Sequence, residues 1–250
     1  MKIALIRILF FLLVFFVWYL IATVGQIPSY IVPSPVDVIK SFTQGFISGH
    51  YSLAIFYSLI RVVSGYFLAL IAGIITGILL ARYYLLDITF GKTILALQSI
   101  PSVAWVPLAL LWFGISNKAV LFIIILEAVL PVTLGTKNAM KNIPHNLIRA
   151  AQTLGSRGLH LYWNVIIKAM IPELVTGLRL SWAFAWRALI AGELFISGSG
   201  IGQTLELGRA LADMPQVISM IIIIGLIGFI TENVFFGTIE KNVRTAWGLL

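Results

Sequence analysis

Four charged side chains, Arg61, Glu127, Arg187 and Glu193, stand within or beside runs otherwise apolar enough to cross a bilayer, where an ionised group is costly and needs a reason. The chemistry open to them is ion pairing, solute attraction or backbone capping. Arg187 and Glu193 lie six residues apart, about 240° around one helix, so their partners must come from other helices or from water. Two readings stand for Arg187: a position on a translocation cavity that attracts an anionic solute, or a buried ion pair with Glu127. Glu193, next to the glycine cluster Gly198, Gly200 and Gly202, is expected either to cap that loop or to meet solute. Arg61, early in its run, is expected to snorkel outward. Catalysis has no comparable footing: His50, His145 and His160 fall in loops on different expected sides, without metal-ligand or triad spacing. With no cysteine there is no thiolate metal or redox site.

The elements that must position these charges are membrane spans. Of 250 residues 60% are hydrophobic and only 10% charged, with a mean hydropathy of +1.03, far from a soluble domain of this length. A bilayer needs about 20 mostly apolar residues per helix. Six windows meet or approach that length: 6–23, 58–81, 94–112, 119–134, 174–195 and 217–231. The expected fold class is therefore all-α, a polytopic membrane protein with about six transmembrane helices in one domain over residues 1–250. The first window follows Lys2 and Arg7 like a secretory signal, but its apolar run is long and no small-residue cleavage site follows, so it reads as a retained helix.

The net charge of +8 follows topology rather than a nucleic-acid-binding face. With the N-terminus inside, inner segments carry Lys2, Arg7, Arg82, Lys92, Lys137, Lys141, Arg149, Arg157, Lys168, Lys241 and Arg244, whereas outer ones carry only Lys40, Lys118 and Arg209. That is the positive-inside pattern, and it places both termini in the cytoplasm.

Backbone signals refine the spans. Pro28, Pro33 and Pro35 make the outer segment 25–51 extended or turned at its start, with something short along the outer surface. Ala69, Gly73, Gly77 and Ala81 recur every four residues, a stripe that lets another helix approach closely. Pro101 and Pro107 should break the third span, and a broken helix at membrane depth lines a cavity or is buried in protein. Trp105, Trp112, Trp182 and Trp186 read as interfacial or packing residues rather than a substrate cage.

Residues 142–170 are patterned as two short cytoplasmic helices. Pro144 suits a first turn, Leu147, Ala151 and Leu154 share one face, and Gly155 can close the helix in a left-handed conformation, leaving Ser156 to cap the next. The first helix is too short to span a bilayer. It is shaped as a lever for a partner.

Here the sequence resembles the permease subunits of ATP-binding-cassette importers, whose cytoplasmic signature runs Glu-Ala-Ala, three residues, Gly, nine residues, then Ile-x-Leu-Pro. Ala150, Ala151 and Gly155 match it, Val165 and Ile167 match conservatively, and Arg149 and Lys168 stand where the family has Glu and Pro. VPSP at 32–35, SLIRVVSGY at 58–66, IPSVAWVPLALLWFG at 100–114, TGLRLSWAFAWRALIAGE at 176–193 and GIG at 200–202 extend the similarity over most of the chain, towards the nitrate, sulfonate, taurine and bicarbonate branch.

The resemblance implies the type I importer permease fold in a bacterial or archaeal cytoplasmic membrane, among membrane lipid. It implies a pore of two permease chains, read as a homodimer, with two cytoplasmic ATP-binding subunits and an extracytoplasmic solute-binding protein. No cofactor is implied, and no G-x-x-x-x-G-K-[ST] phosphate loop occurs, so ATP chemistry is expected on another polypeptide. Leu147, Arg149, Ala150, Ala151, Gln152, Leu154 and Gly155 are the expected ATPase-coupling residues. Pro101, Pro107, Glu127, Arg187 and Glu193 are the expected translocation path. The competing reading is a secondary transporter or channel, which would need kinked helices and buried charges but no cytoplasmic lever, and would often carry an internal repeat not found here.

Overall fold

The structure is a computed structural model that describes residues 2–24 and 28–248, without the side chains of residues 2–4, 7, 8 and 11. The side chains of Lys2 and Arg7, and the first residues of the outer segment at 25–27, therefore lie outside the described residues. Among the described residues every regular element is helical. In order these are α1 (Lys2–Val24), α2 (Pro35–Ile47), α3 (His50–Arg82), α4 (Tyr84–Leu86), α5 (Lys92–Gln98), α6 (Val106–Phe113), α7 (Asn117–Lys141), α8 (His145–Thr153), α9 (Gly158–Leu161), α10 (Ile167–Glu193), α11 (Ile201–Ala210), α12 (Met214–Phe229) and α13 (Gly237–Ala246). Wider π-helical turns join α4 to α5, α9 to α10 and α12 to α13.

All six expected windows are helical, but their bounds and shapes differ from the expectation. Three helices are long and apolar enough to cross a membrane, namely 50–82, 117–141 and 214–246, and a fourth crossing results if the bent pair 84–98 and 102–113 counts as one. The expected break is there: the two arms of that pair diverge by 101° at Pro101. Pro107 breaks nothing, because it falls in the first turn of α6, where a missing N–H costs no helical bond. The remaining windows correspond to α1 and to α10, a 27-residue helix that carries Arg179 and Arg187.

The chain forms two compact units. One comprises residues 1–58 and 197–226. In it α2 starts on the Ser34-Pro35 pair: Ser34 Oγ accepts from the Asp37 backbone N–H and donates to the Asp37 carboxylate, and Pro35 occupies the first turn. The short element expected after the prolines is this helix. Of the glycine cluster, Gly198 and Gly200 lie in the loop before α11 and Gly202 in its first turn. Gly200 precedes α11, whose fully buried Ile201 donates its N–H to Ser58 Oγ at 2.9 Å.

The other unit comprises residues 59–196 and 227–250 and is centred on α7. A helix in lipid gains nothing from apolarity alone, so small residues and close contact must hold the bundle. The α3 stripe serves this purpose: Ala69 is fully buried, and a Cβ on Gly73 would lie 2.6 Å from Val132, one on Gly77 2.7 Å from the carbonyl of Thr133. α7 meets α10 more closely still. A Cβ built on Gly177 would lie 2.9 Å from the Cα of Gly135, so the two backbones touch.

Candidate translocation chamber and coupling helix

The bend at Pro101 brings an irregular backbone stretch beside α7 and α10. Gln98, Ser99, Ile100, Pro101 and Ser102 line a half-open pocket of about 220 Å³ together with Glu127 of α7 and Phe184 and the exposed Arg187 of α10. Glu127 is 3% exposed, and its Oε1 is buried without a hydrogen-bond partner. Pro131, one turn later, cannot donate to the carbonyl of Glu127, which adds polarity at the same point of α7. Arg187 donates through Nε to the Ala183 carbonyl at 3.0 Å and lies with its guanidinium carbon 4.7 Å from the centre of the Phe184 ring. No ion pair joins Arg187 to Glu127 among the described residues. Arg187 also borders a second chamber of about 380 Å³, with Leu180, Trp182, Ala183, Trp186, Gly228 and Glu232.

Of the residues nominated for the path, Pro101, Glu127 and Arg187 come together, whereas Pro107 and Glu193 do not join them in this chamber. Glu193 is fully buried, and its Oε1 accepts from Arg61 Nη1 at 2.6 Å. Arg61 therefore does not snorkel. It is 8% exposed and also donates through Nε to Asn117 Oδ1 at 3.0 Å. Residues 61 and 193 are too far apart in sequence for any local pattern to have paired them. Arg179 shares Glu240 with Arg244 and donates to Asn233, while Thr176 donates to the same carboxylate. This network ties α13 to α10. Trp182 packs edge-on against Tyr66, with ring centres 5.2 Å apart, as its packing role required.

Segment 142–170 has the expected short helix and closing glycine, with two changes. Pro144 sits one residue before α8, as its N-cap, rather than inside the first turn. At the other end Leu154 is the C-cap and Gly155 has φ +86°, with Gly155 N–H on the Gln152 carbonyl and Ser156 N–H on the Ala151 carbonyl. These two bonds close a helix on a left-handed glycine. Ser156 does not cap α9; its hydroxyl pairs with His160 Nδ1 at 3.0 Å instead.

The side of α8 that packs was not among the expected residues. Ile148 enters the small core formed by Ala139, Ile143 and Met170. Of the expected apolar stripe Ala151 is half-buried while its two leucines point away: Leu147 is 40% exposed and Leu154 88%, and Arg149, Ala150 and Gln152 are exposed beside them. Spacing identified an apolar face without indicating which of two such faces is internal.

Comparison with known proteins matches this arrangement. Residues 69–244 fit the family model described as binding-protein-dependent transport system inner membrane component. A putative ABC transporter permease protein of Methanocaldococcus jannaschii is 38% identical over 177 residues, 70% of this chain and 66% of that protein, just under two thirds of its length. The taurine transport system permease protein of Escherichia coli is 28% identical over 221 residues, 86% of this chain and 80% of its own. Among solved structures, an inward-facing form of the MetNI methionine ABC transporter superposes with a TM-score of 0.62 at 17% identity, covering 76% of this chain and 94% of the matched one. That last likeness concerns the fold. With most of its length matched, the chain belongs to the inner membrane components of binding-protein-dependent transport systems.

Proposed function

We propose that the chain is the permease subunit of an ATP-binding-cassette importer, passing a small solute delivered by an extracytoplasmic binding protein. Two such chains form the pore and two separate ATP-binding subunits drive it. Both termini and α8 lie on the cytoplasmic side, in keeping with the charge distribution.

The observation that carries this reading is the construction of α8. It is anchored through Ile148, closed by Gly155, and presents Leu147, Arg149, Gln152 and Leu154 outward. An exposed apolar and cationic rod rooted in the bundle is suited to a protein partner that moves it as a rigid body. Closure of the ATPase pair then turns α8 and with it the spans that line the chamber at Glu127 and Arg187. The solute class favoured by Arg187 is one that carries an anionic group.

Cysteines at Gln152 and across the ATPase surface are expected to crosslink, and Gly155→Leu to abolish ATP-coupled uptake while leaving the chain in the membrane. Absence of every crosslink, together with full uptake by the Gly155 variant, overturns the reading.

A further inference from the structure

The network that ties α13 to α10 leaves positive charge uncompensated. Glu240 is saturated with donors: Oε2 accepts from Arg179 Nη1 at 3.0 Å, and Oε1 from Thr176 Oγ1 at 2.9 Å and Arg244 Nε at 3.1 Å. This single carboxylate faces three cations, because Lys241 follows it in the chain and lies exposed, with no ion pair among the described residues. Arg179, Gly237, Glu240, Lys241 and Arg244 together line an open hollow of about 460 Å³, and Gly237 adds no side chain to fill it. Both guanidiniums are held in place by second bonds, Arg179 Nη2 on Asn233 Oδ1 at 3.1 Å and Arg244 Nη2 on Thr176 Oγ1 at 3.2 Å. Their charge is therefore fixed beforehand, which lowers the ordering cost of binding an anion.

The surroundings of the hollow narrow the occupant. It lies towards the end of the apolar span 214–246, whose most apolar window is only 22% buried, so that most of this surface is suited to lipid. Ile230, Val234, Phe235 and Ile239 are exposed along the approach to it, and the exposed Trp247 stands just past the end of the span, as an interfacial aromatic does. A soluble anion would use the cations and leave the apolar flank bare. A phospholipid without net charge would use the flank and leave the cations uncompensated. One molecule with acyl chains and an anionic head meets both.

We propose that the hollow between α10 and α13 is a selective site for an anionic phospholipid, with its phosphate on Lys241 and Arg244 and its acyl chains along the exposed apolar side chains of 230–239. Arg179 contributes its charge while staying bound to Glu240 and Asn233. The site needs neither a transported solute nor an ATPase, so it stands or falls apart from the transport reading.

The test places the full-length chain in nanodiscs of equal phosphatidylglycerol and phosphatidylcholine, then counts by native mass spectrometry the lipid that stays bound after transfer to detergent. Phosphatidylglycerol is expected to be retained about tenfold over phosphatidylcholine. Lys241→Gln, which breaks none of the bonds to Glu240, should lower that preference about fivefold, and Lys241→Arg should keep it. Adding Arg244→Gln to Lys241→Gln should bring the two lipids to parity; the single variant serves where the double one fails to fold. Lys118→Gln, which removes one exposed charge from the first turn of α7, should leave the preference unchanged. Inorganic phosphate, offered to the chain in nanodiscs of phosphatidylcholine alone, should not bind measurably. Equal retention of the two lipids, a preference untouched by Lys241→Gln, or one lowered as much by Lys118→Gln overturns the proposal. So does binding of inorganic phosphate that depends on Lys241, which would assign the hollow to a soluble anion.

Discussion

At the scale of single residues, burial separates charges that hold the fold from charges left available. Arg61 and Glu193 are buried against each other across 132 positions of sequence. Removing one partner strands the other in a water-poor interior, at a cost of about 3–5 kcal/mol. Glu193→Gln and Arg61→Gln should each lower the thermal unfolding midpoint markedly in detergent, and the double variant should cost less than the two single effects added. Ala212 offers the opposite case. It sits at φ +56°, closing α11, with its N–H on the Arg209 carbonyl and the Asp213 N–H on the Gly208 carbonyl. A side chain in that region is strained by about 1–2 kcal/mol. Ala212→Gly is therefore expected to raise stability by about 1 kcal/mol, measured by the same unfolding curve. Neither property was legible in the sequence, because alanine is no turn signal and Arg61 gives no local sign of a distant carboxylate.

Elements in this membrane domain are held by proximity rather than by exclusion of water. α7 shows it best: 61% of its most apolar window is buried, against 33% for the corresponding window of α3. The close approach of Gly135 and Gly177 allows α10 to cross α7 with backbones in contact, leaving Ser181 within reach to donate to the Ala128 carbonyl at 2.8 Å. Gly177→Val has no room there and should cost about 1–3 kcal/mol or more through overpacking. Loss of ordered chain on size-exclusion chromatography would register it; an unchanged unfolding midpoint would contradict the crossing. The four-residue stripe on α3 was readable because small residues repeated at helical spacing. The α7–α10 crossing was not, because it rests on one glycine from each helix, and no repeat marks either.

At the scale of the whole molecule, topology is the property to test. Membrane-impermeant thiol reagents added from outside intact cells should label a cysteine at Ser48, on the outer segment, and spare one at Gln152, which should react only after permeabilisation. Labelling in the reverse sense would invert every side assigned above. The helical, apolar character of the spans and the short helix closed by a glycine within 142–170 were legible in the sequence, because each depends on composition and periodicity within a single element, where neighbours in the chain are neighbours in space; the number of helices was not, since about six spans were expected and thirteen helices are described, three of them long and apolar enough to cross. Which face of α8 docks, which arginine Glu193 meets, and the assembly of Pro101, Glu127 and Arg187 around one chamber were decided only by tertiary structure. Each of these depends on helices remote in sequence meeting at a particular rotation, and a helix's rotation about its own axis is set by the neighbours it packs against.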